Sequence, residues 1–443
     1  MRLAFDVVVV GGGPAGAVAA RQLAQNGAGV LLVEASRYDR YRIGEVMDAY
    51  GRYLLCQLGM EHVLESAKAV QCDGVVSAWG TDDLAVRPAI KNQHGAAMIL
   101  NRRRFDAALA NEAARAGATV WLGTVATSVR PTREGFLLEL ASGTKRTGVS
   151  CERLVDATGR RATFVRRLGG TQRIRDRMVG LGRRLSASDD EKDAFQSVLL
   201  LESVTQGYWY SVPVGRRKVM AVLMTDGDLA KIARPWRTAL VSSAHTLSRL
   251  EATGKRSKLD RWDARSLISR EPAKLLVVAA GDAAMACDPL AADGIVRAIR
   301  SGQAAAVAVM AGADAIHELG AQRQRAFTEY EAERANTYAI ERRYGQLPFW
   351  ARRLPPSPPV PITIDPLALV RAVEATAASR ARAEALIDPS AVRAILRSAG
   401  AEGRTAVDVL ARARAASPGL TPDEKWVSAL ELLVRGGALS TDS

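Results

Sequence analysis

One short stretch near the beginning of the chain constrains its fold more than any other. Four valines at residues 7–10 lead into a turn that contains Gly11, Gly13 and Gly16. The β-branched run predicts a buried parallel strand, and the glycines permit a tight turn, close approach of the backbone to a pyrophosphate, and close helix packing. Glu34 ends the next apolar run, where a carboxylate can accept hydrogen bonds from both ribose hydroxyls of an adenosine. This order predicts a dinucleotide-binding βαβ unit, since a glycine turn without a phosphate ligand would explain Gly11 but not Glu34.

The remaining periodicity predicts an α/β fold with a separate antiparallel sheet. The almost wholly apolar residues 275–280 are typical of a central parallel strand, whereas residues 198–201, 208–214 and 219–224 alternate like antiparallel strands. We therefore predict a discontinuous Rossmann-like domain and a substrate domain. The first comprises residues 1–80, 95–175 and 265–312, and the second comprises residues 81–94 and 176–264.

The last part of the chain has a different character. Charged and apolar residues at helical spacing predict a long helix over residues 313–354. The proline-rich residues 355–361 exclude a helix and indicate a stiff linker. Short amphipathic patterns beyond it predict a C-terminal helical region over residues 362–443, which we expect to contribute to a partner or substrate surface or else to cap the core.

Composition narrows the classes of function. The net charge of +14 permits an acidic partner, but no nucleic-acid motif accompanies the scattered basic residues. The four cysteines stand far apart, the four histidines have no metal-ligand spacing, and the first apolar run is too short to cross a bilayer. We therefore predict a cytoplasmic protein with no metal site, no nucleic-acid partner and no stable membrane insertion.

Three stretches in this order resemble the FAD-binding motifs of flavoprotein monooxygenases of the aromatic-hydroxylase and flavin-halogenase superfamily. They are residues 11–16 with Glu34, residues 156–161, and residues 281–294. The resemblance covers about the first 310 residues and implies bound FAD. It also implies the cofactor-binding residues Gly11, Gly13, Pro14, Ala15, Gly16, Glu34, Ala35, Gly44, Glu45, Arg102, Val125, Gly159, Gly281, Asp282, Pro289, Asp293, Gly294 and Ile295.

Several of these roles have alternatives. Arg103 or Arg104 could replace Arg102 as the cofactor arginine, and Asp156 is expected to brace its turn rather than to act in catalysis. We expect the FAD to be non-covalent, because no histidine or cysteine stands beside the matched motifs where a flavin tether would be expected. Glu45 is the candidate catalytic residue at the flavin edge; it could equally be a loop carboxylate paired with an arginine.

Residues 43–45 resemble the glycine-glutamate of the halogenase-like group, and residues 208–213 look like a degenerate form of the halogenase tryptophan motif. Tyr208, Trp209 and Tyr210 are therefore candidates for an aromatic substrate wall, or else they simply alternate between core and surface. The catalytic lysine that halogenases carry should lie about thirty residues beyond Glu45. It has no counterpart here, since that region holds residues 71–78, which include no lysine, and the only nearby lysine is Lys68.

Residues 288–295, together with residues 77–80, are similar to flavoproteins that build tryptophan-derived quinone cofactors, including the tryptophan hydroxylase of quinohemoprotein amine dehydrogenase maturation. This resemblance implies a monooxygenase that hydroxylates the indole of a peptidyl tryptophan through a flavin C4a-hydroperoxide. FAD would be reduced by NAD(P)H or a partner reductase, with O2 as co-substrate. The alternatives are a flavin-dependent reductase of isoprenoid double bonds, a halogenase, and a non-catalytic flavin-bound assembly factor.

Overall fold

A computed structural model of the protein describes residues 3–187, 197–215, 217–231, 235–251 and 253–354, and three short strands beyond them. The chain divides into two compact units, Met1–Pro355 and Pro356–Ser443. The first unit has the strands β1 (Leu3–Val10), β2 (Val30–Glu34), β3 (Val46–Met47), β4 (Val70–Cys72), β5 (Gly74–Ala78), β6 (Ala85–Pro88), β7 (Ala97–Ile99), β8 (Thr119–Leu122), β9 (Val125–Pro131), β10 (Phe136–Ser142), β11 (Lys145–Asp156), β12 (Thr171–Ile174), β13 (Met178–Ala187), β14 (Val198–Val204), β15 (Gly207–Gly215), β16 (Lys218–Asp226), β17 (Thr253–Arg256), β18 (Asp260–Asp263), β19 (Leu267–Arg270), β20 (Val277–Ala279) and β21 (Met285–Ala286). Its helices are α1 (Pro14–Gln25), α2 (Ala49–Gln57), α3 (His62–Ser66), α4 (Arg102–Arg115), α5 (Thr163–Arg167), α6 (Pro235–Val241), α7 (Ala244–Glu251), α8 (Gly294–Ala311), α9 (Ala313–Ala339) and α10 (Pro348–Ala351).

A seven-stranded sheet carries the predicted βαβ unit. Its order is β8-β2-β1-β11-β10-β9, with β20 pairing the end of β11, and the strands β8, β2, β1, β11 and β20 are parallel. The four valines of residues 7–10 are buried, as a strand covered on both faces requires. On one face α1 packs against α4 and α8. The α/β fold class predicted from the sequence is confirmed.

The second large sheet has eight strands in the order β17-β13-β16-β15-β14-β5-β6, with β18 also pairing β13. Every pairing in it is antiparallel except that of β14 with β5. The predicted boundary at residue 80 is therefore wrong, because β5 belongs to this sheet. Strand β5 is short, and its parallel partner β14 lies more than a hundred residues away in the chain. No local sequence pattern therefore indicates which sheet β5 joins.

The predicted long helix over residues 313–354 is shorter than expected. Helix α9 ends at Ala339, and the separate short helix α10 begins at Pro348. Between them, the Glu341 carboxylate accepts hydrogen bonds from the Gly80 amide and the Ser203 hydroxyl. This contact ties the intervening loop to the eight-stranded sheet, which a continued helix could not do.

The described part of the second unit is a small three-stranded sheet. It consists of β22 (Pro361–Ile364), β23 (Arg404–Thr405) and β24 (Leu439–Thr441), in the order β23-β22-β24. The proline linker and most of the predicted helical region at residues 362–443 lie outside the described residues. None of the described helices has both the length and the apolar composition needed to span a membrane.

Candidate functional site

A cavity of about 750 Å³ lies where the carboxyl ends of β1, β2 and β11 meet one face of the eight-stranded sheet. All eighteen residues that the resemblance assigned to the cofactor line this cavity. They are Gly11, Gly13, Pro14, Ala15, Gly16, Glu34, Ala35, Gly44, Glu45, Arg102, Val125, Gly159, Gly281, Asp282, Pro289, Asp293, Gly294 and Ile295. Their convergence from distant parts of the chain is the geometry that ligand sites of parallel sheets have at their strand ends.

The glycine turn after β1 leaves room for a phosphate group. Gly11 has φ +110°, and a Cβ atom on it would lie 2.2 Å from the Ala157 carbonyl oxygen. A Cβ on Gly16 would lie 1.9 Å from the Gly11 carbonyl oxygen, so the start of α1 rests directly on the turn. A Cβ on Gly13, in contrast, would meet nothing within 4 Å. Space beside Gly13 and the amino end of α1 together fit a pyrophosphate.

Glu34 is a hub of hydrogen bonds at the end of β2. Its Oε2 accepts from the Gly12 amide at 2.7 Å, and its Oε1 accepts from the Ser36 amide at 2.9 Å and from Arg42 Nη2 at 2.6 Å. Arg42 also contacts the buried Asp106 at 2.8 Å. Sequence reasoning gave Arg42 and Asp106 no individual role, because their contact joins residues that lie 64 positions apart in the chain.

Arg102 is the one of the three candidate arginines at residues 102–104 that lines the cavity. It lines the cavity, pairs with Asp106 at 3.0 Å and donates to the Ile43 carbonyl oxygen at 2.9 Å. Arg103 and Arg104 are exposed and do not line the cavity. Arg102 therefore holds the loop that carries Gly44 and Glu45 against the amino end of α4.

Asp156 braces the second glycine turn. It is fully buried, and its carboxylate accepts from Thr158 Oγ1 at 2.6 Å, from the Phe164 amide at 2.7 Å and from the Val165 amide at 2.8 Å. Burial raises the pKa of this carboxyl, while these hydrogen bonds oppose the shift. Asp156 does not line the cavity, which fits a structural role.

The third motif contains a cysteine that borders the cavity. Cys287 lies between Asp282 and Pro289, lines the cavity and accepts a hydrogen bond from Arg297 Nη1 at 2.9 Å. Burial raises the pKa of the thiol to about 12, so Cys287 is a poor nucleophile as it stands. Non-covalent FAD therefore remains our expectation.

Glu45 lies at the junction of the two large sheets. It is buried, and its carboxylate accepts hydrogen bonds from the hydroxyl of Tyr41 and the amide of Gly44 and is hydrogen-bonded to Tyr210 on β15. Burial raises the pKa of Glu45 above its ordinary 4.5, although the Tyr41 hydrogen bond opposes the shift. Glu45 is therefore protonated up to a higher pH than an exposed glutamate. No ion pair joins it to a neighbouring arginine in the described part of the chain.

The hydroxyl of Tyr208 is held in place by the buried carboxylate of Asp288. The Tyr208 hydroxyl donates to Asp288 Oδ1 at 2.8 Å, and Tyr338 of α9 donates to Asp288 Oδ2 at 2.6 Å. Arg334 Nε reaches the same carboxylate at 3.2 Å. Burial alone would raise the pKa of Asp288, but the guanidinium of Arg334 and the two phenols lower it. We name Asp288, Tyr208, Arg334 and Tyr338 the Asp288 cluster.

The predicted substrate wall is wrong for Trp209. Tyr208 and Tyr210 line the cavity, but Trp209 lies on the opposite face of β15, because successive side chains of a strand alternate. There its indole packs edge-to-face on Trp236 with ring centroids 5.1 Å apart, and its Nε1 donates to the Ala239 carbonyl oxygen. Within the described residues, no group of three acidic, histidine or cysteine side chains could hold a metal ion.

Two curated relatives match most of this chain. LodB of Marinomonas mediterranea, a protein named an FAD-dependent oxidoreductase, is 26% identical over 362 residues, which are 79% of this chain and 96% of LodB. Digeranylgeranylglycerophospholipid reductase 1 of Methanothermobacter thermautotrophicus is 26% identical over 336 residues, or 71% of this chain and 80% of the reductase.

Solved structures share the fold at lower identity. The flavin-dependent halogenase CmlS superposes on this chain with a TM-score of 0.70 at 22% sequence identity. The match covers 98% of this chain and 77% of the CmlS chain. The peptidyl tryptophan dihydroxylase QhpG superposes with a TM-score of 0.65 at 21% identity and covers 82% of this chain and 83% of its own. The family model described as FAD binding domain matches residues 4–338, which include all three motifs. The chain therefore belongs to the FAD binding domain family and is an FAD-dependent oxidoreductase.

Proposed function

We propose that this protein is an FAD-dependent monooxygenase that hydroxylates an aromatic ring, namely the indole of a tryptophan held in a peptide or protein. The observation that carries the proposal is the wall of the cavity formed by the eight-stranded sheet. This wall presents aromatic rings and aliphatic groups to the cavity. Its phenol hydroxyls already form hydrogen bonds with carboxylates of the protein. Its members are Leu199, Leu201, Tyr208, Tyr210, Met224 and Trp262.

The hydrogen bonds of the Tyr208 and Tyr210 hydroxyls determine which chemical groups of the wall remain available to a substrate. Tyr208 donates to Asp288, and Tyr210 hydrogen-bonds Glu45, so neither phenol is free to bind a polar substituent strongly. What remains towards the cavity is apolar and aromatic surface, which favours a flat, uncharged ring. An indole is electron-rich and suits an electrophilic oxygen donor without needing a strong base.

The cavity lining speaks against halogenation. None of the lining residues in the described part of the chain is a lysine, and Lys68 is exposed and lies outside the lining. The basic lining groups are arginines, most of which are held by acidic residues or carbonyl oxygens. The group needed to pass on a hypohalous acid in the related halogenases thus has no counterpart in this lining.

Bound FAD, reduced by NAD(P)H or a partner reductase, would supply the activation of O2. The residues of this chain would hold and shield the reaction. Arg102 and Arg42 fix the loop of residues 42–45, and the apolar and aromatic wall would keep water away from the reacting ring. Glu45 is positioned to hold a proton on its carboxyl and to pass it towards the cavity, while Tyr41 and Tyr210 orient that carboxyl.

The choice of a peptidyl tryptophan has separate support. The solved structure of QhpG, a peptidyl tryptophan dihydroxylase, shares the fold over 82% of this chain, and residues 288–295 resemble the flavoproteins of tryptophylquinone biogenesis. The net charge of +14 would steer an acidic partner protein towards the enzyme at low salt.

Mass spectrometry tests this proposal directly. The holoenzyme is incubated with NAD(P)H or a flavin reductase, O2 and candidate partner proteins, and digests of the partners are searched for a gain of one or two oxygen atoms on tryptophan. The digeranylgeranylglycerophospholipid reductase relative motivates a second arm, in which reduced enzyme meets a polyprenyl lipid without O2. Hydrogenation of the lipid, or halogen transfer to free tryptophan, would overturn the proposal.

A further inference from the structure

Two glycines on β13 leave a gap in the cavity wall that their backbone geometry does not explain. Gly180 and Gly182 lie two residues apart, so they face the same side of the sheet, and neither has a positive φ. A side chain would therefore cause no backbone strain at either position. The reason for glycine must be the space above them.

That space is shared by the side chain of Val222 and the indole of Trp262. A Cβ on Gly182 would lie 2.8 Å from Val222 Cγ2, and a Cβ on Gly180 would lie 3.2 Å from Val222 Cγ1. In the ladder between β13 and β18, Trp262 lies directly opposite Gly180. A Cβ on Gly182 would lie 2.9 Å from Trp262 Cζ3, and a Cβ on Gly180 would lie 3.8 Å from Trp262 Cε3. The benzene part of the indole therefore extends across β13 above both glycines. A side chain at Gly182 would push it away from the sheet.

The rest of the indole is available to the cavity. Trp262 is only partly buried, and it lines the cavity together with residues of the neighbouring strands. Pairing across the sheet places Tyr208, Met224, Gly180 and Trp262 in one row over four strands. A Cβ on Gly180 would also lie 3.3 Å from Met224 Sδ, so the thioether borders the indole over the same gap.

We propose that Trp262 is the residue that positions the substrate ring, by stacking on it with the indole surface that β13 does not cover. The ligand of this platform is a planar, uncharged aromatic ring. The inference rests on the proposed function only in taking this ring to be the one that is hydroxylated. The flavin ring of FAD has the same chemistry, and the test must separate the two.

Equilibrium binding to the oxidised holoenzyme tests the platform without turnover. N-acetyltryptophanamide is the aromatic probe and N-acetylcyclohexylalanine amide is the aliphatic one, and each is titrated while the visible spectrum of the flavin is followed. We expect Trp262→Leu to weaken binding of the aromatic probe about five-fold and Trp262→Phe about two-fold, with the aliphatic probe unchanged. The affinity for FAD, measured on reconstituted apoprotein, should stay the same. Trp121→Leu, at a partly buried tryptophan outside the cavity, is the matched control.

Each other outcome overturns the inference. Equal binding of the aromatic probe by the wild type and both variants would remove the platform. Weaker FAD binding with unchanged probe binding would assign the indole to the cofactor. Because no oxygen transfer is measured, a loss of probe binding would support the platform even if tryptophan hydroxylation were never found, and the proposed function would then fail by itself.

Discussion

The two ends of the cavity are built by different means. At the cofactor end, the decisive feature is the lack of side chains: Gly11 and Gly16 let the turn and the start of α1 pack closely, and Gly13 leaves room for a phosphate. At the substrate end, the decisive feature is hydrogen bonding between side chains. Asp288 holds the hydroxyl of Tyr208, and Glu45 holds that of Tyr210. Backbone sites depend on local spacing and carry a sequence signature, whereas a wall of fixed side chains depends on partners that are far apart in the chain.

The largest expected effect separates two roles within the glycine turn. A Cβ on Gly16 would lie 1.9 Å from the Gly11 carbonyl oxygen, so Gly16→Ala should displace α1 and leave little folded protein. Gly13→Ala meets no protein atom within 4 Å and should fold normally but bind FAD at least ten-fold more weakly, by about 1.4 kcal/mol or more. Circular dichroism and FAD titration of the apoprotein check both. Normal FAD binding by Gly13→Ala would mean that the pyrophosphate does not approach this turn.

The next effect concerns the substrate end. Asp288→Ala should lower the free energy of unfolding by about 3 kcal/mol, because it leaves Arg334 buried with Asp176 as its remaining acidic neighbour at 3.0 Å. Since the pKa of Asp288 is lowered in the folded state, its contribution is present above pH 3.8 and is lost as the pH falls through the folded pKa. Urea denaturation at several pH values measures this, with the exposed Asp260→Ala as control. A loss as small as that of the control would mean that the Asp288 cluster does not hold the wall.

A smaller effect tests whether Glu45 acts through its proton. Because burial raises its pKa, turnover that needs the protonated carboxyl should fall as pH rises through that raised value. Glu45→Gln should abolish this fall of kcat with rising pH. At pH values below the raised pKa of Glu45, its kcat should be about ten-fold lower than that of the wild type. Profiles of kcat against pH, with Glu112→Gln outside the cavity as control, provide the measurement. An unchanged limb in Glu45→Gln would assign the proton to another group.

The smallest effect compares neighbours on β15. Tyr208→Phe removes one hydrogen bond to Asp288 and should cost about 1 kcal/mol of stability and alter KM for the aromatic substrate. Trp209→Phe loses its hydrogen bond to Ala239 and should cost a similar amount while leaving KM unchanged, because Trp209 lies outside the cavity. A changed KM in Trp209→Phe would contradict the position of this residue on the face of β15 that points away from the cavity.

The same contrast explains how much could be predicted from the sequence. The glycine turn, Glu34 and the third motif were predictable because each works through residues at fixed local spacing. Trp209 was misassigned although the strand was predicted, since periodicity gives alternation but does not say which face meets the cavity. The roles of Arg42 and Trp262 were missed because their partners lie on other elements, and that of Asp106 was missed because its contact with Arg42 joins distant parts of the chain. A Gly-x-Gly pair in an extended strand is the one local signal that could have pointed to Trp262.

The Asp288 cluster also sets an order of events during protein synthesis. The seven-stranded sheet is complete in sequence once β20 has emerged, and α8, which packs on α1, ends at Ala311. Tyr338 and Arg334 come from α9, the next helix to leave the ribosome. Since a nascent chain folds from its amino end, the seven-stranded sheet can form before the Asp288 cluster is complete. The carboxylate of Asp288 gains its contacts with Arg334 and Tyr338 only after the last turns of α9 have been translated.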